Sequence, residues 1–320
     1  MVLAGPVPSR FPPKAPATKR ENPSSGFGGR VFRLFRSKPS VLLSLGFILL
    51  VALMSVFAPL ITQISGWGPY EFDQDAIDPM TGGLPLGPLG GISSEHWFGV
   101  EPQSGRDIFA RIVYGAQVSM LIAVSATIIT TSLGVVLGML AGFLGGRVDY
   151  VISRLMDFLM AFPALIFMIA LLSALPQSNR PVLLVLVLSL FGWPYIGRVI
   201  RGQTMSLTRR DFIEAAWASG GRPLTIIFRE LLPNLSGTII VMSTLALPSF
   251  VGTEAGLSFL GVGVTAPTAS WGQTISSAVG WFTVYPGYFL IPGTFLFLTV
   301  MSFTVVGDHL QKMLGRTDSR

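Results

Sequence analysis

Cysteine is missing from the chain altogether, and histidine occurs only twice, as His96 and His309. Without cysteine there is no disulfide, no thiolate nucleophile and no cysteine-ligated metal site. The two histidines fall on opposite sides of the topology derived below, so they cannot share a metal ion, and each reads as an ordinary loop residue. Charge is scarce as well: 12% of the residues are Asp, Glu, Lys or Arg, about half of what a soluble domain carries. Half of the chain is hydrophobic and its mean hydropathy is +0.63. Such a chain is not by itself a soluble enzyme.

What is present is a series of long apolar runs, at about 41–63, 113–142, 158–178, 181–197, 235–260 and 286–307. A bilayer core roughly 30 Å thick needs about 20 helical residues to cross it. Five of the runs reach that length, and 181–197 is about one turn short unless Val199 and Ile200 extend it past Arg198. No charged residue occurs between Glu254 and Asp308. A membrane β-barrel would instead alternate apolar and polar residues, which runs such as Val182 to Leu188 do not. The expected fold is an all-α integral membrane protein with about six transmembrane helices.

The net charge of +6 is a topology signal rather than a nucleic-acid signal. Lys and Arg collect in short cytoplasmic loops. Placing both termini inside puts 19 of the 22 basic residues there and leaves Arg106, Arg111 and Arg180 outside. The outer loop 64–107 instead holds seven acids, from Glu71 to Asp107. Residues 1–30, rich in Pro, Ser and Gly, read as a disordered cytoplasmic tail, with a second short tail at 311–320. The leader is too long, and the run from Val41 too extended, for a cleavable signal peptide. Arg30 to Lys38, alternating basic and apolar, is expected to lie along the inner membrane surface.

Two loops are too long to be simple connectors: the outer loop 64–107 and an inner loop at 198–234. The inner one reads as two short helices. Asp211 and Glu214 have the spacing of a capping box. Phe212, Ala215, Ala216 and Ser219 share a face, and Gly220-Gly221 supplies a left-handed stop. Pro223 suits the first turn of a second helix, which runs through Ile226, Ile227 and Leu231 until Pro233 ends it or kinks it into the fifth span. Physics alone leaves two readings open, a hairpin resting on lipid headgroups or a docking site for a partner.

Glu214-Ala215-Ala216, three residues, Gly220 and then Leu232-Pro233 resembles the "EAA" loop of bacterial binding-protein-dependent ABC importer permeases. The Ile of the family pattern is replaced by Glu230. Further stretches are similar to the dipeptide/oligopeptide/nickel permeases, in particular to the "C" permease subunit of a peptide importer. They are His96 to Gly99 with Gly105-Arg106-Asp107, Arg111 to Ala116, Gly145-Gly146 with Asp149, Arg154 to Asp157 with Ala161-Phe162-Pro163, Glu254 to Gly261, and Ser270-Trp271-Gly272. The interval from Gly99 to Gly105 is one residue longer than in the common form. The resemblance spans about residues 31–310.

The resemblance implies a type I ABC importer permease fold. It also implies a heterodimer with a second, homologous permease, two ATPase subunits below and an extracytoplasmic solute-binding protein above that delivers a peptide. Asp211, Glu214, Ala215, Ala216, Gly220, Leu232 and Pro233 would couple the chain to an ATPase subunit. ATP and Mg would sit on those partners, with no cofactor bound by this chain. Independently, a phosphate-binding loop needs a lysine followed by Ser or Thr, and Lys14, Lys19, Lys38 and Lys312 are followed by Ala, Arg, Pro and Met.

Glu254, near the outer end of span five, is either a pathway or gate residue or a hydrogen-bonded packing residue. Arg154 and Asp157 mark the inner membrane edge. Gly261-Val262-Gly263 lacks the strand–turn–helix setting of a nucleotide fingerprint, and no catalytic set is assembled. Rival readings are the same importer for a nickel chelate, an opine or a haem-like solute, a channel, which would need a filter, and an intramembrane enzyme.

Overall fold

The computed structural model describes residues 38–176 and 178–315. The chain divides into residues 1–39, of which only Lys38 and Pro39 are described, and residues 40–320, which hold everything that follows. The expected tail at 1–30, the surface segment at 30–37 and the end of the chain beyond 315 lie outside the described residues.

The helices are α1 (Pro39–Val56), α2 (Ala58–Ser65), α3 (Ile108–Leu144), α4 (Gly146–Met160), α5 (Ala164–Ala174), α6 (Arg180–Leu207), α7 (Asp211–Ala218), α8 (Pro223–Ile226), α9 (Leu232–Phe259), α10 (Trp271–Ala278) and α11 (Pro286–Gly315). Strands β1 (Ile77–Asp78) and β2 (Leu84–Pro85) pair antiparallel in the 66–107 loop, with Ile77 opposite Pro85. α1 is apolar all round and buries only Val41, Ser44, Val51 and Met54. That narrow stripe holds it to the bundle, while its remaining leucines face outward as a lipid-facing helix allows.

α3 and α6 form the centre. Gly134, Gly138 and Gly142 recur every fourth residue along α3, and a Cβ on each would come within 2.8, 2.5 and 2.7 Å of Ile196, the Gly197 carbonyl and the Arg201 carbonyl. Small residues at this spacing let two backbones meet. The contacts advance in step along both helices, so α3 and α6 run parallel. The chain between them must therefore recross the membrane. α4 and α5 make that crossing together, bent by 84° at Ala161-Phe162-Pro163. Pro163 has no N–H to continue the helix and holds Phe162 away from helical geometry. With α1, α3, α6, α9 and α11 this gives six crossings.

One boundary differs from expectation. The fourth span runs unbroken over Arg180–Leu207, so Arg198 and Arg201 belong to a helix and not to an inner loop. Both are paired: Arg198 Nη2 lies 2.5 Å from Asp157, and Arg201 makes a two-pronged bond to Asp149, with Nη2 to Oδ2 at 2.7 Å. Pairing removes the cost that made the two arginines look like loop residues. Of the two outcomes left open at Pro233, the second hairpin helix takes the one that carries it on into the fifth span. A π turn over Ile227–Leu231 carries α8 into α9, with Leu232 N–H donating to the Ile227 carbonyl five residues back.

On the other side the 66–107 loop folds over the start of α3. Arg111, expected at a helix edge, is fully buried. Its Nε lies 2.5 Å from Glu101 Oε1, and it donates to Gln273 of α10 and to the Pro69 carbonyl at 3.2 Å. Arg106 bonds the second Glu101 oxygen at 2.6 Å. His96, read as an ordinary loop residue, does lie in the loop but is buried and paired, with Nδ1 2.9 Å from Asp107 and Nε2 3.1 Å from Asp73, under the Trp67 ring. Asp107 caps α3 by accepting from the Ala110 N–H at 2.6 Å. Burial pushes its carboxyl up from the usual range, partly offset by that N–H and by His96.

Candidate coupling surface

The 208–231 hairpin lies at the end of α6, on the side opposite the 66–107 loop. Its first helix, α7, begins one residue differently from expectation. Arg210, extended at φ −91° and ψ 146°, is the N-cap, and Asp211 is the first helical residue and makes no side-chain cap bond. A capping side chain has to sit on the residue whose backbone is still extended, and that residue is arginine. Asp211 and Glu214 both lie in the first turn, where the helix dipole favours acids. Gly220 adopts φ +77°, and its N–H reaches the Trp217 carbonyl at 2.9 Å while that of Gly221 reaches Ala216 at 3.0 Å. The expected left-handed stop is formed.

One face of the hairpin is fastened down. Ile213, Ile226, Ile227 and Leu231 are buried with Val135 and Met139 of α3, Ile196 and Ile200 of α6, and Leu235 of α9. Trp217 stacks on Phe143 at 6.0 Å and 9°. Ala216 and Leu232 pack half-buried at the margin of this cluster. The other face is open: Asp211, Phe212, Glu214, Ala215, Ser219, Gly220 and Pro233 are exposed, as are Leu224 and Phe228. The structure thus puts the seven residues singled out from sequence on the hairpin and its junction with α9, five exposed and two at the anchored edge. The anchor residue Ile213 was missed, although its spacing from Ala216 and Trp217 marks a face.

Beside the hairpin, Asp149, Ser153 and Asp157 line the α4 face toward α6. Ser153, Met156, Asp157, Arg198 and Arg201 line an open pocket of about 250 Å³. Arg154 joins the pair from within α4, 3.6 Å from Asp157. Across the membrane, Glu254 of α9 is 0% exposed. Ser119 of α3 and Ser258 each donate to its carboxyl at 2.8 Å, and Ser258 Oγ accepts from the Val264 N–H at 2.9 Å. The carboxyl therefore ties α3, α9 and the loop after α9 together. Among the described residues no group of His, Asp and Glu is arranged to hold a metal ion.

The model of the binding-protein-dependent transport system inner membrane component family matches residues 134–317, more than half of the chain. The chain belongs to this family. Residues 26–84 of this permease also match the N-terminal transmembrane domain of oligopeptide transport permease C. It is 34% identical over 280 residues to the oligopeptide transport system permease protein OppC of Bacillus subtilis (strain 168), covering 88% of this chain and 86% of that protein. Against the protein of the same name from Escherichia coli (strain K12) the identity is 35% over 287 residues, with 89% and 90% covered. The glutathione transport system permease protein GsiD of Escherichia coli O6:K15:H31 is 33% identical over 283 residues, with 88% of each chain covered. Among solved structures, the inward-facing MetNI methionine ABC transporter resembles the permease with a TM-score of 0.50 at 17% identity, covering 65% of this chain and 97% of that one. A second crystal form gives 0.51 at 19% identity, with 64% and 96% covered. The fold is that of a type I ABC importer permease, embedded in the membrane.

Proposed function

We propose that this permease is one of two homologous subunits forming the translocation pathway of an ATP-driven importer for di- and oligopeptides, with its termini in the cytoplasm. Two ATPase subunits hold ATP and Mg and engage the exposed face of the 208–231 hairpin. An extracytoplasmic binding protein presents the peptide at the opposite face. The permease itself contributes no catalytic group and binds no cofactor. Substrate class follows the relatives named for oligopeptides and glutathione; another small solute on the same machine is the second reading.

One observation carries the coupling role. The hairpin is continuous with a span: Pro223–Phe259 is a single apolar helical unit of 37 residues. A push on α8 is therefore delivered to α9 without an intervening loop, and a push on α7 passes through Ile213 to α3 and α6. Ala215 and Ala216 let a docking surface approach closely, Asp211 and Glu214 give it charge to recognise, and Gly220 sets the angle between the arms. Leu232 and Pro233 hold the junction with the span. Glu254, in this reading, stiffens the other end of α9 where the pathway is gated.

The test is ATP-dependent uptake of a labelled peptide into vesicles holding the full complex, comparing wild type with Gly220→Asp and Glu214→Lys. Both variants are expected to assemble in the membrane and to lose uptake together with stimulated ATPase activity. Unimpaired uptake in both would reduce the hairpin to a membrane-surface element.

A further inference from the structure

The 66–107 loop is acidic at both ends, yet no charged residue occurs between Asp78 and Glu95. Within that interval Leu86, Leu89 and Ile92 are exposed, Leu89 to 77%. Leu89 is also one of three non-glycine residues with positive φ among the described residues, at φ 52° and ψ 35°. A positive φ is uncommon for so bulky a residue, and the Leu89 side chain projects from the turn. The turn is braced from behind: a Cβ on Gly90 would lie 1.9 Å from the Tyr285 ring, so only glycine lets the backbone seat there.

The bracing fixes the depth of the segment. Tyr285 immediately precedes α11, and its hydroxyl donates to the Phe98 carbonyl at 3.0 Å. The Phe98 ring lies 5.3 Å from Phe109 and 6.4 Å from Phe295. Phe109 is in the first turn of α3, and Phe295 lies in the third turn of α11. The half-exposed Trp97 packs on Phe109 at 4.7 Å while its indole N–H donates to the Ser94 carbonyl. An amphipathic ring at the end of a span is the usual mark of the membrane–water boundary. The loop residues 86–98 therefore sit beside the first turn of α3 and the first three turns of α11. Val284, just before α11, and Leu290, within it, also expose apolar side chains.

We infer that the Leu86–Trp97 segment is an interfacial membrane anchor, with Leu86, Leu89, Ile92 and Trp97 inserted into the headgroup–acyl boundary of the leaflet on the side of the 66–107 loop. The occupant of this patch is lipid: the stretch from Leu86 to Ser94 is uncharged, the one acid of the segment being the exposed Glu95 beside Trp97, and the Gly90 turn is seated on Tyr285 at the start of a span, which fits an element lying in the interface plane. The β1–β2 turn, by contrast, carries the 93% exposed Met80 next to Asp78 and projects into water. The inference is independent of which solute the permease carries.

Because the chain has no cysteine, single nitroxide labels can be placed cleanly. Leu89→Cys, Ile92→Cys and Met80→Cys are labelled in the full complex, with partner cysteines replaced, in phosphatidylcholine/phosphatidylglycerol nanodiscs. Collision with oxygen is then compared with collision with a water-soluble nickel chelate. The labels at 89 and 92 are expected to be several-fold more accessible to oxygen than to nickel, and the label at 80 the reverse. Nickel accessibility at 89 and 92 equal to that at 80 would overturn the inference in favour of a water-facing patch. Shielding of 89 and 92 from both reagents would overturn it in favour of a protein partner.

Discussion

The two faces of the permease are built in opposite ways. The cap formed by 66–107 and α10 is fastened by buried polar pairs: Arg111 with Glu101 and His96 with Asp107 are all buried, while Glu71, Asp75 and Glu95 stay exposed. The 208–231 hairpin keeps its charges outside and is held by isoleucines and a leucine. Buried charge pairs demand their partners and tolerate little displacement, because separating them strands a charge in a medium of low dielectric. Aliphatic contacts are non-directional and can slide by small amounts at modest cost. A cap held by ion pairs suits a face that stays put, and a hairpin held by side-chain packing suits a face that is pushed.

The sharpest way to break this contrast is at Arg111. Arg111→Met leaves the buried Glu101 with Arg106 as its one remaining cation, beside the Ser104 hydroxyl, and removes the bonds to Gln273 and Pro69. The expected loss is about 3–5 kcal/mol, the range for one partner removed from a buried pair, read as a large fall in the Tm of the solubilised complex. Adding Glu101→Gln should recover much of it, since the stranded charge is then gone. A double variant as unstable as the single one would show that Arg111 acts through packing alone.

The hairpin answers to a different kind of change. Ile213 is 1% exposed and is the residue of α7 that reaches the lower core. Ile213→Ala should cost about 2–4 kcal/mol, within the range for truncating a buried isoleucine. That loss should appear locally, as faster hydrogen exchange over 208–222 with the cap still protected. Loss of protection in both regions would mean that the two faces are one cooperative unit, and the contrast would fail.

How far this architecture was legible follows from what each device looks like along the chain. Spans announce themselves by length and lack of charge, and a left-handed stop by paired glycines, so the six crossings and the Gly220 turn were both readable. Hydropathy counts a charge against a helix whether or not it is paired. Arg198 and Arg201 therefore shortened the apparent fourth span, although Asp149 and Asp157 of the preceding crossing receive them. The break at Phe162-Pro163 shows how a span can pass every composition test and still bend. The cap was the least readable part. His96 meets Asp73, Arg111 meets Gln273, and Glu254 meets Ser119 135 positions away. No local pattern records such pairings.

The smallest expected effect on stability falls on the open face, and it sharpens the contrast most. Ala215 is exposed, and the side chains that fasten α7, Ile213 and Trp217, point elsewhere. Ala215→Leu should therefore change the stability of the complex in detergent by no more than about 0.5 kcal/mol, as for surface substitutions away from special features. If an ATPase subunit seats against this face, as proposed, the larger side chain separates the two surfaces. Co-purification of that subunit should then weaken and uptake should fall, while Tm stays level. Glu230→Gln, on the same hairpin but in the π turn, serves as a control that keeps the length of the side chain. Retention of both partner and uptake by Ala215→Leu would place the docking surface elsewhere on the hairpin, on the exposed Leu224 and Phe228 of its second arm.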